Sequence, residues 1–185
     1  CRQSVFLEEN RYPEINFKMN FPDEDLSSYC DGQQINRALT NLLKNASESV
    51  ISRIEETNGD PNSGAIELSI SSAGASPEGQ PSASSSIQIK ITDNGKGLPL
   101  ENRDRLTEPY MTTRTKGTGL GLAIVKKIVE DHGGTLTLSD HQGGGAEIYF
   151  TLSTQAPLTG SDQTDELEKT PLEVEIELAI RSAGE

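Results

Sequence analysis

The sequence predicts an α/β fold built as one domain, because two kinds of hydrophobic periodicity alternate along its 185 residues. Apolar residues three or four positions apart predict a long amphipathic helix over 32–56 and a second helix that begins near Leu122 and ends at Gly133. Apolar residues at every second position predict strands over 15–21, 65–72, 86–92, 135–140 and 146–153. Neither an internal repeat nor a second domain is indicated, so a single core of ordinary size is expected.

The charge balance restricts the classes of partner. Lys and Arg total 16 and Asp and Glu total 29, which gives a net charge of −13. This balance argues against nucleic acid or an anionic membrane as the main partner, so any positive charge that contacts phosphate must be local. The two cysteines, Cys1 and Cys30, have no metal-type spacing and favour a reducing compartment. This piece contains no apolar run of membrane-spanning length and no signal peptide.

Three segments fall outside the predicted strands and the two long helices. Residues 1–14 are interpreted as a connector, and a chain that begins at Cys1 without a methionine is expected to be a piece of a longer protein. The stretch 73–85 is rich in Gly, Pro and Ser, which predicts a mobile loop. Residues 100–108 are interpreted as a short helix.

The last segment, residues 154–185, is interpreted as an acidic C-terminal tail. Within it, residues 172–180 alternate apolar side chains with glutamates, the pattern of a strand with one apolar face. Since a lone strand is not stable, we expect it to pair with an exposed sheet edge or to cover an apolar surface, in its own chain or a neighbour's. The alternative is a disordered tail, because glutamates in register repel each other.

The sequence GTGLGL at residues 117–122 lies directly before the second long helix. A glycine-rich turn that opens a helix exposes unpaired backbone N–H groups and a partial positive charge, which suit a phosphate. The alternative is a tight turn that needs glycine for its positive φ. No G-K-[ST] sequence follows, so the segment is not a Walker loop.

Two asparagines lie four residues apart on the long helix, at Asn41 and Asn45, and therefore share one side of it. Asn is a poor residue in the middle of a helix, so its presence needs a reason. The alternatives are a solvated or polar edge of the core and a set of amide oxygens directed at a metal or a phosphate. Mg²⁺ accepts such oxygens and keeps several of its waters.

The third strand runs into DNGKGLP, which contains Asp93, Gly95 and Gly97. The strand end presents the carboxylate in a cleft, and the glycines allow the backbone to approach a flat ligand closely. A single D-x-G-x-G sequence also occurs in plain turns, so this motif alone does not identify a site.

Four motifs nevertheless follow one another in a set order. They are N-x-x-x-N on a long helix, D-x-G-x-G after a strand, E-P-Y-M-T-T-R, and G-T-G-L-G-L before a helix. Together they closely resemble the N, G1, F and G2 boxes of the ATP-binding catalytic domain of sensor histidine kinases. This domain belongs to the superfamily shared with gyrase, Hsp90 and MutL. The compact join between the F and G2 boxes is similar to the nitrogen-regulation kinases of the NtrB and NtrY type, and the NtrY-like group is predicted.

By this resemblance, the fold is a two-layer α/β sandwich of the Bergerat type, with a mixed β-sheet of about five strands and three helices on one face. The resemblance makes residues 15–153 the catalytic domain and residues 1–14 the connector from a missing dimerisation and phosphoacceptor domain. ATP would lie between the helices and a lid formed by roughly residues 98–116.

The resemblance also assigns roles to residues. Asp93 would accept the adenine amine, Asn45 would hold Mg²⁺, and Asn41 would assist at the phosphates or the metal waters, so both asparagines are predicted to be catalytic. The glycines of the G2 box would offer N–H donors to the phosphates. The full predicted nucleotide-binding set is Asn41, Lys44, Asn45, Asp93, Gly95, Gly97, Leu98, Tyr110, Thr113, Arg114, Lys116, Gly117, Thr118, Gly119, Leu120, Gly121 and Leu122.

The sequence departs from the family pattern at three positions. Glu48 stands where these kinases often carry a lysine, Ser49 where they carry an aromatic residue, and Thr107 at the first position of the F box. These departures concern the packing of the lid and the contacts to the phosphates.

The resemblance implies binding of ATP with Mg²⁺, donation of the γ-phosphoryl group to a histidine on a separate domain, and relay to a response regulator. Neither His132 nor His141 has the H-E-x-x-N-P context of the acceptor, so neither is expected to be phosphorylated. The intact protein is expected to be a homodimer in the bacterial inner membrane, with this domain in the cytoplasm.

Three other functions use the same boxes. A gyrase- or MutL-like ATPase carries a glutamate base four residues before the Mg²⁺ asparagine, where this chain has Asn41. A serine kinase of the anti-sigma type shares all the boxes and stays an alternative. A pseudokinase that only binds its partner is disfavoured, because Asn45, Asp93 and the glycines are all present.

Overall fold

The structure is a computed structural model that describes residues 1–23, 26–75, 81–111 and 117–154. These ranges contain helices α1 (Arg2–Arg11), α2 (Gly32–Thr57) and α3 (Gly121–Asp131). They also contain strands β1 (Ile15–Asn20), β2 (Gly64–Ala75), β3 (Pro81–Asp93), β4 (Leu136–Asp140) and β5 (Ala146–Ser153). The five strands and the two long helices lie where the sequence predicts them, and no described helix is both long and apolar enough to cross a membrane.

The five strands form one mixed sheet in the order β1-β2-β3-β5-β4. Strand β1 pairs with β2 in parallel, and the other neighbours pair antiparallel. The register sets apolar residues side by side, with Leu68 opposite Ile91 and Ile89 opposite Phe150. Because side chains alternate between the two faces of a strand, this register collects the apolar residues on one face.

The helices cover that apolar face and form the core with it. Leu39, Leu42 and Leu43 of α2 and Val125 of α3 are buried against the sheet, together with Phe150 of β5. The other face of the central strands is polar, and Lys90 forms an ion pair with Glu147 across it at 3.4 Å. One apolar and one polar face account for the two-layer sandwich, so the predicted fold class is confirmed.

Residues 1–14, interpreted as a connector, contain helix α1, which the sequence analysis missed. Val5 is fully buried, Ser4 and Glu8 are buried beside it, and the Ser4 hydroxyl donates to Asn36 Oδ1 of α2 at 2.5 Å. Burial raises the pKa of the Glu8 carboxyl above its usual value. Polar residues face the core and Phe6 is exposed, so hydrophobic periodicity could not reveal this helix.

Two further expectations about local structure were wrong. Of the segment 73–85, expected to be a loop, the described residues 73–75 and 81–85 belong to β2 and β3, because strand pairing extends through Ala73 opposite Ser86 and then to Ala75 and Pro81. The short helix expected over 100–108 is only a single 3₁₀ turn at Arg103–Arg105. The predicted strand 172–180 lies outside the described residues and stays a prediction.

Candidate functional site

Helix α2 carries the two asparagines along one edge of the helical layer. The helix begins at Asp31, whose carboxylate accepts from the backbone N–H groups of Gln33 and Gln34 at 2.9 and 3.1 Å. Asn41 and Asn45 are half-buried, and Asn41 Nδ2 donates to the carbonyl of Arg37 at 3.0 Å. An amide carries its oxygen and its nitrogen on opposite sides. Because Nδ2 faces the carbonyl of Arg37, Oδ1 of Asn41 is directed away from that carbonyl and can accept a hydrogen bond from another group.

The asparagines meet the start of α3 at its first residue, Gly121. A Cβ atom at Gly121 would lie 3.7 Å from both Asn41 Oδ1 and Asn45 Nδ2. In the part of the chain that the structure describes, no side chain caps α3, so the N–H groups of its first turn point into the same space as the two amides. The structure therefore brings together two motifs that lie about 75 residues apart in sequence.

Gly119 lies in the glycine loop before α3 and has a φ of +67°. A Cβ atom there would lie 2.5 Å from the carbonyl carbon of Tyr110, and Tyr110 N donates to the Gly119 carbonyl at 2.9 Å. At this position the structure favours the tight-turn interpretation, because glycine is needed for the backbone and for contact with the F box. The predicted N–H donation by Gly119 to a phosphate stays a prediction.

Asp93 lies at the end of β3 and is only 5% exposed. Its Oδ1 atom accepts from Gly95 N at 2.8 Å and from Ala146 N at 3.4 Å. Two backbone donors thus fix the orientation of a buried carboxylate at the end of the strand. A buried, oriented carboxylate at a strand end is the arrangement that base recognition by one hydrogen bond requires.

The glycines after Asp93 allow close contacts within the protein, and their predicted contact with a nucleotide stays a prediction. A Cβ atom at Gly95 would lie 2.6 Å from the carbonyl carbon of Ser49, so this glycine lets the loop approach α2 closely. Gly97 has a φ of +78°, and a Cβ atom there would lie 3.1 Å from the carbonyl oxygen of Gly145. The loop is thus held between α2 and the start of β5.

Sequence reasoning missed Gly145 as part of this site. Its φ is +94°, and a Cβ atom there would lie 2.7 Å from the carbonyl carbon of Asp93. The available signal was the run of three glycines at 143–145, directly before the last predicted strand. Only the pairing of β5 with β3 brings Gly145, the last of the three, against the backbone of Asp93.

The predicted positive charges are only partly described. Lys44 is half-exposed and lies 3.9 Å from Glu48, so the residue that stands in place of the family's lysine pairs with this cation. Thr113, Arg114 and Lys116 lie outside the described residues. Leu98 and Tyr110 lie in the described part of the predicted lid, where Arg103 donates to Asp140 through two hydrogen bonds at 2.7 and 2.8 Å. The hydrogen bond from Arg103 also lowers the pKa of Asp140.

The remaining predicted residues of the G2 box lie between the glycine loop and the core. Gly117 and Thr118 are exposed, and Thr118 Oγ1 accepts from Leu120 N at 3.4 Å. Leu120 precedes the first turn of α3, and Leu122 packs against the core. This segment leads from the exposed glycine loop into the start of α3, and the nucleotide contacts predicted for its residues stay predictions.

Neither histidine lies beside the glycine loop: His132 is at the far end of α3, and His141 is in a hairpin turn. The Nδ1 atom of His132 lies 2.7 Å from the carbonyl of Ile128, and its Nε2 accepts from Asp31 N at 3.0 Å. These partners assign the proton to Nδ1 and link the end of α3 to the start of α2. His132 follows the eleven residues of α3, about 16 Å from the glycine loop. His141 lies in the turn between β4 and β5.

Comparison with known proteins identifies the family of this chain. The family described as histidine kinase-, DNA gyrase B-, and HSP90-like ATPase matches residues 30–156. The nitrogen regulation protein NtrY of Azorhizobium caulinodans is 43% identical over 157 residues, which cover 84% of this chain and 18% of that protein. The chain thus spans about a fifth of the length of this relative.

Two solved structures are similar over most of the chain. The nucleotide-free catalytic domain of histidine kinase ThkA has a TM-score of 0.64 and 28% identity, over 83% of this chain and 89% of that one. The mycobacterial sensor histidine kinase MprB has a TM-score of 0.64 and 26% identity, over 82% and 90% of the two chains. The family match and the relative at 43% identity show that the chain belongs to the histidine kinase-, DNA gyrase B- and HSP90-like ATPase family, as the ATP-binding catalytic domain of an NtrY-like sensor histidine kinase.

Proposed function

We propose that this domain binds ATP with Mg²⁺ and donates the γ-phosphoryl group to a histidine on a separate domain of the same protein. The observation that carries the proposal is the convergence of Asn41 and Asn45 on the uncapped start of α3, with the Asp93 carboxylate beside the loop that contacts Ser49, one turn further along α2. Positioning and neutralisation of charge are the main requirements of phosphoryl transfer.

The two ends of the site would divide the recognition of ATP. Asp93 would accept a hydrogen bond from the adenine amine, because its Oδ1 is already held by two backbone donors and its orientation is set. The N–H groups at the start of α3 would donate to phosphate oxygens. Asn41 and Asn45 would place amide oxygens beside the phosphates, where Asn45 would hold Mg²⁺.

An Mg²⁺ ion fits this donor set. It binds proteins through one or two oxygen ligands and takes the others from phosphates and water, so a single amide from Asn45 suffices. When bound, it neutralises charge on the phosphates. Asn41 Oδ1 lies on the same side of Gly121 and is suited to hold a phosphate or a water of the ion.

The same residues disfavour hydrolysis as the main activity. Asn41 occupies the position where gyrase- and MutL-like ATPases carry the glutamate that activates water. An amide has no basic site at neutral pH, so Asn41 cannot serve as this base. The serine kinase of the anti-sigma type is not favoured either, because the relative at 43% identity is a nitrogen regulation protein of the NtrY type.

The partners are part of the proposal, since the chain spans about a fifth of its relative. We infer a dimerisation and phosphoacceptor domain that joins this one through the segment containing α1, and a response regulator that receives the phosphoryl group. The intact protein would be a membrane-bound homodimer with this domain in the cytoplasm, acting in nitrogen-related signalling.

The decisive experiment mixes this domain with ATP, Mg²⁺ and a separately produced phosphoacceptor domain of an NtrY-type kinase. Acid-labile, base-stable phosphohistidine on the acceptor domain is the expected product. Acid-stable phosphoserine on a partner would support the serine kinase instead. Release of phosphate without any phosphoprotein would support an ATPase.

Asn45→Ala is expected to remove the contribution of Mg²⁺ to ATP binding while leaving most of the nucleotide contact. Affinity for ATP with Mg²⁺ should fall to nearly the value measured in EDTA, because the amide oxygen that holds the ion is gone. Calorimetric titration under both conditions measures this. Asn16→Ala, at an exposed position of β1, is the matched control and should keep the full effect of Mg²⁺. If Mg²⁺ still tightens binding to the Asn45 variant as much as to the wild type, the metal ligand is another residue.

The chain by itself is expected to incorporate no phosphoryl label from γ-labelled ATP. Both ring nitrogens of His132 are engaged at the far end of α3, and His141 lies in a hairpin turn. Incubation with the labelled nucleotide, followed by acid and base treatment, tests this directly. Acid-labile label mapped to either histidine would contradict the assignment of an external acceptor.

A further inference from the structure

Helix α2 carries a third polar residue in line with the two asparagines. Asn41, Asn45 and Ser49 follow at four-residue intervals, so each is rotated by about 40° and advanced by about 6 Å from the one before. Ser49 is half-buried, and its hydroxyl oxygen accepts a hydrogen bond from Lys96 N at 3.0 Å. Among the described residues, this bond links the line of three polar side chains on α2 to the backbone of the loop that follows β3.

This hydrogen bond is adjacent to the bond that orients Asp93. Gly95 N donates to Asp93 Oδ1 at 2.8 Å, and the next backbone N–H, that of Lys96, donates to Ser49. Gly95 itself lies so close to Ser49 that a Cβ atom would come within 2.6 Å of the Ser49 carbonyl carbon. Two successive N–H groups of one short loop therefore connect the Asp93 carboxylate to α2.

Other contacts fix the loop to the sheet but not to α2. Asn94 Oδ1 accepts from Ala65 N at 2.9 Å, and its Nδ2 donates to the Ser63 carbonyl at 2.8 Å. Ala146 N reaches Asp93 Oδ1 from β5. The Lys96 ammonium does bind Glu56 of α2, but through two long, half-exposed side chains, which define a position weakly. The side chain of Ser49 is short and half-buried, so its hydrogen bond to Lys96 N defines the position of the loop more closely.

We propose that Ser49 is a positioning residue that sets the distance between the base end and the phosphate end of the site. Its hydroxyl holds the loop that carries Asp93 on the same helix that carries Asn45, one turn away. A nucleotide can then contact the carboxylate and the metal-binding amide together. This inference rests on the proposed function, and it assigns a role to the position where the family pattern has an aromatic residue.

The test compares two nucleotides that differ only at the group which Asp93 would recognise. ATP carries the exocyclic amine, and purine riboside triphosphate lacks it. Calorimetry with the wild type should show a clear preference for ATP. Ser49→Ala should reduce this preference by roughly three- to tenfold, with affinity for the amine-free nucleotide changed less, because the loss of one hydrogen bond lets Asp93 shift.

Two further variants separate positioning from general destabilisation. Ser52→Ala makes the same substitution on the same helix, at a serine for which the described residues provide no hydrogen-bond partner, and should leave the preference for ATP unchanged. Ser49→Thr keeps the hydroxyl and should restore the preference. Melting temperatures are measured for all variants, since a purely structural role would lower stability and weaken both nucleotides equally.

The outcomes for Ser49 and for the proposed function are distinct. A wild type that binds both nucleotides equally would overturn the adenine-recognition role of Asp93, and Ser49 would lose its role with it. A wild type that prefers ATP, together with a Ser49→Ala variant that prefers it as strongly, would overturn the positioning role alone.

Discussion

Gly145→Ala is expected to destabilise the domain by roughly 3 kcal/mol or more, enough to unfold a domain of marginal stability. A Cβ atom at this position would overlap the carbonyl of Asp93, with the carbonyl carbon at 2.7 Å and the Cα atom of Asn94 at 2.8 Å. All of these neighbours are backbone atoms beside the β3–β5 pairing, so no side chain can move aside. Urea unfolding followed by circular dichroism measures the loss.

The neighbouring Gly144→Ala is the matched control. Gly144 also has a positive φ, +88°, but a Cβ atom there would meet nothing within 4 Å. Its substitution should therefore cost only the conformational strain, on the order of 1–2 kcal/mol. The difference between the two variants isolates the clash with the Asp93 loop. Equal losses would mean that strain alone accounts for the glycine at 145.

Asp93→Asn is expected to abolish detectable ATP binding while leaving the fold intact. The asparagine carbonyl can accept from Gly95 N and Ala146 N as Asp93 Oδ1 does, so the loop should keep its conformation. Its NH₂ group would then replace the second carboxylate oxygen and face the adenine amine with a donor. A hydrogen bond becomes a repulsive contact, at a cost on the order of 1–3 kcal/mol or more.

Calorimetric titration with ATP and a thermal melt measure the two halves of this prediction. Asp131→Asn makes the same substitution at an exposed carboxylate at the far end of α3, where it pairs with Lys127, and should bind ATP as the wild type does. Unchanged affinity in the Asp93 variant would remove this residue from the proposed site. Lost binding with a collapsed melting temperature would indicate that the variant fails by unfolding, which contradicts the predicted retention of the fold.

The elements that could be read from the sequence are those with strong periodicity. Strand β5 alternates buried and half-exposed residues over its whole length, and α2 buries one continuous face, so both patterns are local and visible. Helix α1 was missed because it buries Ser4 and Glu8 and exposes Phe6. Its position depends on contacts with α2, and no local pattern records them.

The sequence by itself determined the α/β class, the five strands, the two long helices and the ordered set of boxes that identifies the family. Each of these depends on periodicity or on residue type at short spacing, which the chain carries locally. The tertiary structure alone decided how the boxes meet: Asn41 and Asn45 at Gly121, Ser49 at the Asp93 loop, and Gly145 beneath it. The physical reason is that a glycine in a sequence indicates only that no side chain occupies that position. Which atoms use the vacant space, a ligand or the protein's own backbone, depends on contacts between segments distant in sequence.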